Sequence, residues 1–319
     1  MKNTVRLVSS LVLALCLSAC YETVSLKDLG VKPKLVLYCF LSPQYDTISV
    51  YLTNSQPLFS IVKSVSEINL ATVEISNDNQ NWTQIPYNKA SKRYLLPQSQ
   101  FPITEGKTYY IRASAANYES ISASCIVPFW REINLMPEGI SASSPRDGFS
   151  WPILSFSWND YRGENNYYAF ISYGRPWWDD SYSRLESKYM NEEDSKVVIS
   201  DEGKDGEKIS VSTTIWESGY SAEWITSEDN QLYDSVYILA IQTDKHTFLF
   251  ENSVASYDGM GFISIFTIEP TLIYSNIKNG YGVFGAMTFK SYRANFRQKT
   301  IEEAEYQKPE PPEEMKRRK

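Results

Sequence analysis

The sequence predicts a mainly β protein in which an N-terminal immunoglobulin-like β-sandwich is followed by a second β-rich domain with one short helix. The first reason is composition, because aromatic residues make up 14% of the chain, with 23 Tyr and 8 Trp. Together with abundant Ser, Thr, Ile and Val, they favour strands. The second reason is periodicity, because short segments that alternate apolar and polar residues recur between turn signals.

The first half of the chain contains seven short segments of this alternating character. The predicted strands span residues 34–41, 47–53, 71–77, 82–86, 93–96, 107–113 and 120–127. Turn-forming residues such as Asn77-Asp78-Asn79 separate them, and Pro128 follows the last strand. Seven strands in about a hundred residues are typical of an immunoglobulin-like sandwich, which we assign to residues 34–128.

The second half is less regular, and we assign residues 129–298 to one further domain. Its predicted strands span residues 153–158, 166–173, 196–200, 209–215 and 235–243. A helix is predicted from Asp244, its N-cap, to about Tyr257, since apolar residues in this segment share one helical face. The glycine-rich block 273–291 indicates tightly bent strand backbone. The charged segment 299–319 is expected to be a disordered tail.

The start of the chain carries the signals of an exported lipoprotein. Lys2 and Arg6 precede an apolar run over residues 7–17, which is too short for the roughly 20 residues of a spanning helix. The run ends at Leu-Ser-Ala-Cys, a lipobox in which the thiol of Cys20 would take a diacylglycerol. We expect a signal peptide over residues 1–19 and a lipidated tether over residues 20–33. An ordinary secretory signal with an incidental cysteine is the alternative.

Cleavage before Cys20 would leave 300 residues with a net charge of −9, because the 19-residue leader removes two positive charges from a total of −7. An acidic surface argues against nucleic acid as a partner. No second apolar run approaches spanning length, so the lipid is the expected membrane contact. Tyr21, rather than an aspartate, follows the cysteine, which favours the outer membrane. Whether the protein faces the periplasm or the cell surface stays open.

Two cysteines remain after the leader, Cys39 and Cys125, and each alternates with apolar residues along a predicted strand. A disulfide between them would be consistent with an oxidising compartment. Two small buried side chains are the alternative, and the sequence leaves both open.

Little in the sequence indicates catalysis or metal binding. The one histidine, His246, excludes a multi-histidine metal site and argues against a Ser-His-Asp triad. Residues 201–207 resemble part of a calcium loop, but Gly203 stands where an oxygen ligand is needed and Ser212 where a glutamate should close the loop. A turn-rich hairpin loop is the preferred interpretation. We assign no catalytic residue, no metal ligand and no cofactor.

The strongest candidate for a ligand-binding site is the segment that contains Tyr173, Trp177 and Trp178. Gly174 and Pro176 keep it out of regular structure, and adjacent tryptophans in a strand cannot both face one core. An exposed ring beside Asp and Arg would suit stacking on a sugar or gripping a partner protein. The alternative is that the second sheet covers both rings.

Several sequence blocks resemble one known family. They are Pro-Lys-Leu-Val-Leu-Tyr at 33–38, Glu-Gly-Lys-Thr-Tyr at 105–109, and the more specific Tyr-Ser-Asn-Ile-Lys-Asn-Gly-Tyr-Gly-Val-Phe-Gly-Ala at 274–286. The chain resembles the "domain of unknown function 4249" family of Bacteroidota lipoproteins over roughly residues 20–293. The resemblance implies an outer-membrane or surface lipoprotein, often encoded beside a TonB-dependent receptor, and it brings no catalytic residues.

From this resemblance we expect a non-enzymatic accessory to a TonB-dependent receptor that acts in ligand or nutrient capture at the outer membrane. A structural or adhesive protein of the cell envelope is the alternative from a different class.

Overall fold

A computed structural model gives the fold of the protein. It describes residues 32–55, 67–142, 152–174, 183–184, 187–191, 194–195, 198–215, 236–258, 272–295 and 298–305. Within these ranges the chain is mainly β and contains one helix, which confirms the predicted fold class. No helix in this part of the chain is long and apolar enough to cross a membrane.

Two sheets form the N-terminal sandwich. One contains, in spatial order, β1 (Leu35–Leu41), β2 (Thr47–Asn54), β6 (Arg93–Pro97) and β5 (Tyr87–Asn88). The other contains β4 (Thr83–Gln84), β3 (Thr72–Ser76), β7 (Thr108–Ser114) and β8 (Ile121–Ile126). This arrangement separates β1, β2 and β6 from β3, β7 and β8, as immunoglobulin-like folds separate strands A, B and E from C, F and G.

Alternation along the strands builds the core of this sandwich. In β2, the buried residues Ile48, Val50 and Leu52 alternate with half-buried ones, because successive side chains of a strand point to opposite faces of the sheet. Each such side chain contributes about 1.5–3 kcal/mol when it is fully buried. The period-two pattern therefore identifies the inward face of the strand.

Tyr109, at the start of β7, fixes the loop that leads into that strand. Its ring is fully buried. Its hydroxyl group accepts a hydrogen bond from the backbone N–H of Thr104 at 2.8 Å and donates one to the carbonyl oxygen of Pro102 at 3.1 Å. This is the tyrosine corner of immunoglobulin-like sandwiches, and it supports that description of the N-terminal fold.

The second sandwich also has two sheets. One contains, in order, β14 (Asp194–Ser195), β13 (Ser187–Asn191), β16 (Lys208–Ile215), β10 (Pro152–Asn159) and β9 (Met136–Ala142). The other contains β12 (Ser183–Arg184), β11 (Tyr167–Gly174), β17 (Val236–Thr243) and β18 (Tyr281–Asn295), with β15 (Val198–Ser200) beside β11 and β19 (Thr300–Ala304) beside β18. Aromatic rings fill the space between them. The ring of Trp158 lies 5.2 Å from that of Tyr168 and 4.7 Å from that of Phe170.

Strand β18 belongs to both sandwiches. Its residues 281–286 pair in parallel with β1, and its residues 287–294 pair antiparallel with β17. One ten-stranded sheet therefore continues across the domain boundary expected at residue 128. Gly282 permits the parallel pairing, because its φ is +102° and a Cβ there would overlap the carbonyl oxygen of Leu37. Gly282, in the glycine-rich block 273–291, therefore allows the backbone of β18 to approach β1 closely.

Helix α1 (Lys245–Asp258) begins where the sequence predicts. Oδ1 of Asp244 accepts a hydrogen bond from the backbone N–H of Thr247 at 2.9 Å, which confirms Asp244 as the N-cap. The helix packs on the ten-stranded sheet, and the ring of Phe248 stacks on that of Tyr167 at 4.7 Å. Nδ1 of His246 lies 2.7 Å from the hydroxyl oxygen of Tyr274, a contact that ties the helix to the segment before β18.

The sequence predicts a disordered tail from residue 299, and this start is too early. Thr300–Ala304 forms β19, which pairs antiparallel with β18, and Ile301 packs against the core of the second sandwich. The strand was missed because Glu302 and Glu303 give it the charged character of a disordered segment. Charged residues are nevertheless common on edge strands, where they discourage aggregation. Residues 306–319 lie outside the described part of the chain, and their disorder stays a prediction.

Cys39 and Cys125 are free thiols in the core of the N-terminal sandwich, each 1% exposed. Burial raises the pKa of the Cys39 thiol to about 12. Burial also raises the pKa of the Cys125 thiol well above its usual range, with smaller contributions from the charges of Asp244 and Cys39. The structure thus shows two small buried side chains. The disulfide is not formed in it and stays a prediction.

Candidate ligand-binding cleft

The segment between the two sandwiches is held by hydrogen bonds on both sides. The backbone N–H of Trp130 donates to Oε2 of Glu105 in the N-terminal sandwich at 3.0 Å. The side-chain amide of Gln242, at the end of β17, pairs with both backbone groups of Arg131. The N–H of Arg131 donates to Oε1 at 2.8 Å, and Nε2 donates to the carbonyl oxygen of Arg131 at 2.6 Å. The position of this linker is therefore fixed.

The fixed linker presents Arg131 between two aromatic rings. Its guanidinium carbon lies 5.4 Å from the ring centre of Phe129 and 4.7 Å from that of Tyr161, distances at which cation–π attraction operates. Two of its nitrogens bind the carboxylate of Glu164, and this hydrogen bonding raises the pKa of Arg131. Phe129 and Tyr161 remain 54% and 46% exposed. The result is an ordered patch with accessible aromatic surface.

A cleft of about 390 Å³ opens beside this patch. Its walls come from the end of β8 and the linker, from the loop before β11, and from the turn between β17 and α1. The charged side chains in these walls are Arg131, Glu164, Asp244 and Lys245. Cationic and carboxyl groups are therefore equal in number, and Phe129 and Tyr167 contribute aromatic surface.

Two residues that line the cleft carry buried oxygen atoms without hydrogen-bond partners, namely Thr243 Oγ1 and Asp244 Oδ2. The residues are 5% and 9% exposed. The other carboxylate oxygen of Asp244 is committed to capping α1 and also accepts from the N–H of Ala286 at 3.1 Å. Burial raises the pKa of Asp244. An unsatisfied buried polar atom costs about 1–3 kcal/mol, and both atoms are closed off from solvent.

A second cleft of about 630 Å³ shares four lining residues with the first, namely Glu164, Asn165, Tyr167 and Lys245. The charged residues that line the second cleft are Glu164, Asp201, Glu202, Asp205 and Lys245. Burial raises the pKa of Tyr167, and the negative charges of Asp201, Glu202 and Asp244 raise it further. The two clefts therefore differ in character, because the first is balanced in charge and the second is acidic.

Three aspartates next to the second cleft hold its loops together. Oδ2 of Asp160 accepts from the N–H of Gly206 at 2.8 Å, and Oδ1 of Asp205 accepts from the N–H of Gly163 at 2.6 Å. Oδ2 of Asp201 accepts from the N–H of the residue before Tyr167 at 2.9 Å. Burial raises the pKa of Asp201, and the charge of Asp160 contributes to the shift.

Carboxylate oxygens of Asp160, Asp201 and Asp205 lie within 4.8 Å of one another, close enough to share a metal ion. Their bonds to backbone N–H groups already account for their positions. The segment after β15 contains Gly203 and Gly206 at φ of +75° and +72°, and it connects β15 to β16 as the turn-rich loop that the sequence predicts. The loop is not a hairpin, however, because β15 pairs with β11 and β16 pairs with β10.

Tyr173, the one described residue of the binding site predicted from sequence, does not line the cleft. Tyr173 lies opposite Tyr237 in the pairing of β11 with β17. It is six residues from Tyr167, or about 20 Å along the strand. Trp177, Trp178 and Cys20 lie outside the described residues, so their assigned roles stay predictions. No local sequence pattern indicates the cleft, because its walls come from segments that are far apart in the chain.

The fold and the cleft define a protein of two β-sandwiches that share a strand, with a polar and aromatic cleft where the sandwiches meet. The family model described as domain of unknown function (DUF4249) matches residues 22–293, and the chain belongs to that family. No curated protein matches the chain. Among solved structures, the crystal structure of a Salmonella alpha-2-macroglobulin mutant is similar at 10% sequence identity. The match covers 86% of this chain and 16% of that chain, with a TM-score of 0.24.

Proposed function

We propose that this protein is a non-enzymatic lipoprotein of the outer membrane that captures a ligand or nutrient as an accessory to a TonB-dependent receptor. The observation that carries the capture role is the cleft beside Arg131, whose linker wall is held by the side-chain amide of Gln242. A preformed site binds without a large cost for ordering its walls. The receptor association rests on the family resemblance alone.

Two titratable groups of the cleft, those of Glu164 and Tyr167, favour binding over catalysis. Glu164 is engaged by Arg131, and one oxygen of Asp244 caps α1. The pKa of Tyr167 is raised by burial, so its hydroxyl group stays protonated at neutral pH. General acid–base catalysis favours a group whose pKa lies near the working pH and which is free to reach the substrate. Glu164 and Tyr167 do not meet this requirement.

The membrane setting is tested through Cys20. Replacement by serine, Cys20→Ser, removes the sulfur that would carry the lipid, and it should move the protein from the membrane to the soluble fraction. Cys39→Ser is the matched control, since it removes a thiol outside the lipobox, and it should leave the protein in the membrane fraction. Retention of Cys20→Ser in washed membranes would contradict the lipoprotein assignment.

The receptor association is tested by purification of the tagged lipoprotein from its own bacterium in mild detergent. We expect a large β-barrel protein to accompany it in a constant ratio across washes. The Cys20→Ser variant, purified in parallel from the soluble fraction, controls for adhesion to the resin. A preparation that repeatedly lacks any barrel protein would count against the accessory role.

The alternative is a structural or adhesive protein of the envelope, and β18 is the observation that favours it. One strand pairs with β1 in the first sandwich and with β17 in the second, which stiffens the junction as a spacer requires. A deletion strain distinguishes the two functions. Loss of envelope integrity with normal nutrient uptake would favour the structural role, whereas impaired growth on particular nutrients would favour capture.

A further inference from the structure

We propose that the cleft beside Arg131, which Phe129 and Lys245 also line, binds a neutral carbohydrate. The inference deepens the proposed function and rests on its capture role. The two clefts share Glu164 and Lys245 but differ in their other charged residues, and this difference indicates the ligand class. Asp201, Glu202 and Asp205 make the second cleft acidic, so it would favour cations. The cleft beside Phe129 adds only Arg131 and the buried carboxyl group of Asp244, and it has no such cluster of one charge.

The polar groups of the cleft match a ligand that both donates and accepts hydrogen bonds. The side-chain amide of Asn165 offers both a donor and an acceptor, and the ammonium group of Lys245 is a donor. The side chains of Asn165 and Lys245 make no hydrogen bond or ion pair with the residues that the structure describes. Sugar hydroxyl groups can accept hydrogen bonds from both side chains and can donate to the amide oxygen of Asn165.

The aromatic surface supplies the apolar part of the site. The ring of Phe129 covers Gly106 so closely that a Cβ there would overlap it, and the guanidinium of Arg131 lies near the same ring. The ring therefore has a fixed position while more than half of the residue remains exposed. A flat, rigid ring suits the C–H face of a pyranose, and its burial costs little conformational entropy.

The test uses the full-length lipoprotein in a zwitterionic detergent without a sugar headgroup. Isothermal titration would measure binding of maltohexaose, cellohexaose and mannohexaose, with hexagalacturonic acid and the chitosan hexamer as anionic and cationic counterparts. We expect at least one neutral oligosaccharide to bind and both charged ones to bind more weakly. Loss of a stacking or hydrogen-bonding contact worth about 1.4 kcal/mol weakens binding about tenfold, so Phe129→Ala and Asn165→Ala should each reduce affinity by about this factor.

The controls remove the same kind of group, an aromatic ring or a side-chain amide, outside the cleft. Tyr281→Ala removes an aromatic ring of similar exposure, 49% against 54% for Phe129, and Asn134→Ala removes an exposed amide. Both should bind within about twofold of the parent, since neither lines the cleft. Thermal unfolding of all four variants would show that each is folded.

Three results would overturn the carbohydrate assignment. These are no binding of any neutral oligosaccharide at millimolar concentration, stronger binding of a charged one, and binding that Phe129→Ala and Asn165→Ala leave unchanged. The last result would place the sugar elsewhere on the chain. A barrel protein that still co-purifies would show that the accessory role survives such a failure. Conversely, sugar binding by a lipoprotein without a barrel partner would leave the carbohydrate site standing and remove the receptor role.

Discussion

The side-chain amide of Gln242 bonds to both backbone groups of Arg131, accepting from its N–H and donating to its carbonyl oxygen. A neighbouring β-strand would make the same pair of hydrogen bonds. The two bonds, of 2.8 and 2.6 Å, join the end of β17 in the second sandwich to the linker that leaves the first. Since Gln242 is only 4% exposed, water cannot easily replace them. This contact determines where Arg131 and its aromatic neighbours lie.

Gln242→Ala should therefore destabilise the protein and weaken its cleft. Each hydrogen bond contributes about 0.5–1.5 kcal/mol, so we expect the free energy of unfolding in urea to fall by about 1–3 kcal/mol. Gln84→Ala, at an exposed position of β4, is the control and should change stability by less than about 0.5 kcal/mol. Equal stability of the two variants would show that the linker is held by other contacts.

Tyr109→Phe tests the tyrosine corner. The substitution removes one hydroxyl group, which bonds Thr104 and Pro102, and it leaves the buried ring in place. We expect a loss of about 1–3 kcal/mol in the free energy of unfolding, because two backbone groups lose their partner. Tyr110→Phe is a matched control on the same strand, with a half-buried ring and no side-chain hydrogen bond within the described residues. A similar loss in both variants would contradict the role of the corner.

Gly282→Ala tests the close pairing of β18 with β1. An alanine Cβ would overlap the backbone of Leu37, and φ of +102° is unfavourable for any L-residue. We expect destabilisation by more than about 3 kcal/mol in urea unfolding. Gly163→Ala separates the two causes, because Gly163 also has a positive φ, +90°, but nothing lies within 4 Å of the added carbon. It should cost only about 1–2 kcal/mol, and an equal loss would show that strain alone is responsible.

Local pattern predicted most of the strands and the helix, because these elements depend on nearby residues. The prediction of a strand over residues 47–53 matches β2 (Thr47–Asn54), where every second side chain faces the core. The helix start was predictable because Asp244 caps it through a residue three positions away. Such signals lie within one turn or one strand, where the sequence can be read directly.

Long-range pairing could not be predicted in this way. β18 pairs with β1, which lies more than 200 residues earlier in the chain, and glycines such as Gly282 resemble turn residues when only their neighbours are considered. The cleft was missed for the same reason, since Arg131, Asn165 and Lys245 come from separate segments that only the tertiary fold brings together. The sequence therefore directed attention to Trp177 and Trp178, because two adjacent tryptophans are a distinctive local feature.

The two core cysteines provide a direct test of their redox state. If they are free thiols as in the structure, iodoacetamide should modify neither in the native protein, because both are buried and the pKa of Cys39 is about 12. Unfolding in guanidinium without reductant should then make both core thiols reactive, and peptide mass spectrometry would identify the modification at Cys39 and Cys125. No modification before reduction and two after it would instead demonstrate the disulfide. The Cys39→Ser variant calibrates the count at one.

The buried carboxylate of Asp201 should make the stability of the protein depend on pH. Burial and the charge of Asp160 raise its pKa in the folded protein above the ordinary value of 3.8. The folded state therefore favours the protonated form, and the stability that this contributes is fully present below about pH 3.9 and is lost as pH rises through the raised pKa. Asp201→Asn imitates the protonated group at every pH. Hence the parent should lose stability relative to this variant between pH 4 and pH 7.

Urea unfolding of both proteins at several pH values would measure this difference. The same comparison in an Asp160→Asn background should give a smaller pH dependence, because the neighbouring negative charge is then absent. Asp201 is buried in both comparisons, so the difference between them measures the effect of the Asp160 charge alone. A difference between parent and Asp201→Asn that does not change from pH 4 to pH 7 would show that Asp201 has the same proton affinity in the folded and unfolded chains, and that its contact with Asp160 carries no electrostatic cost.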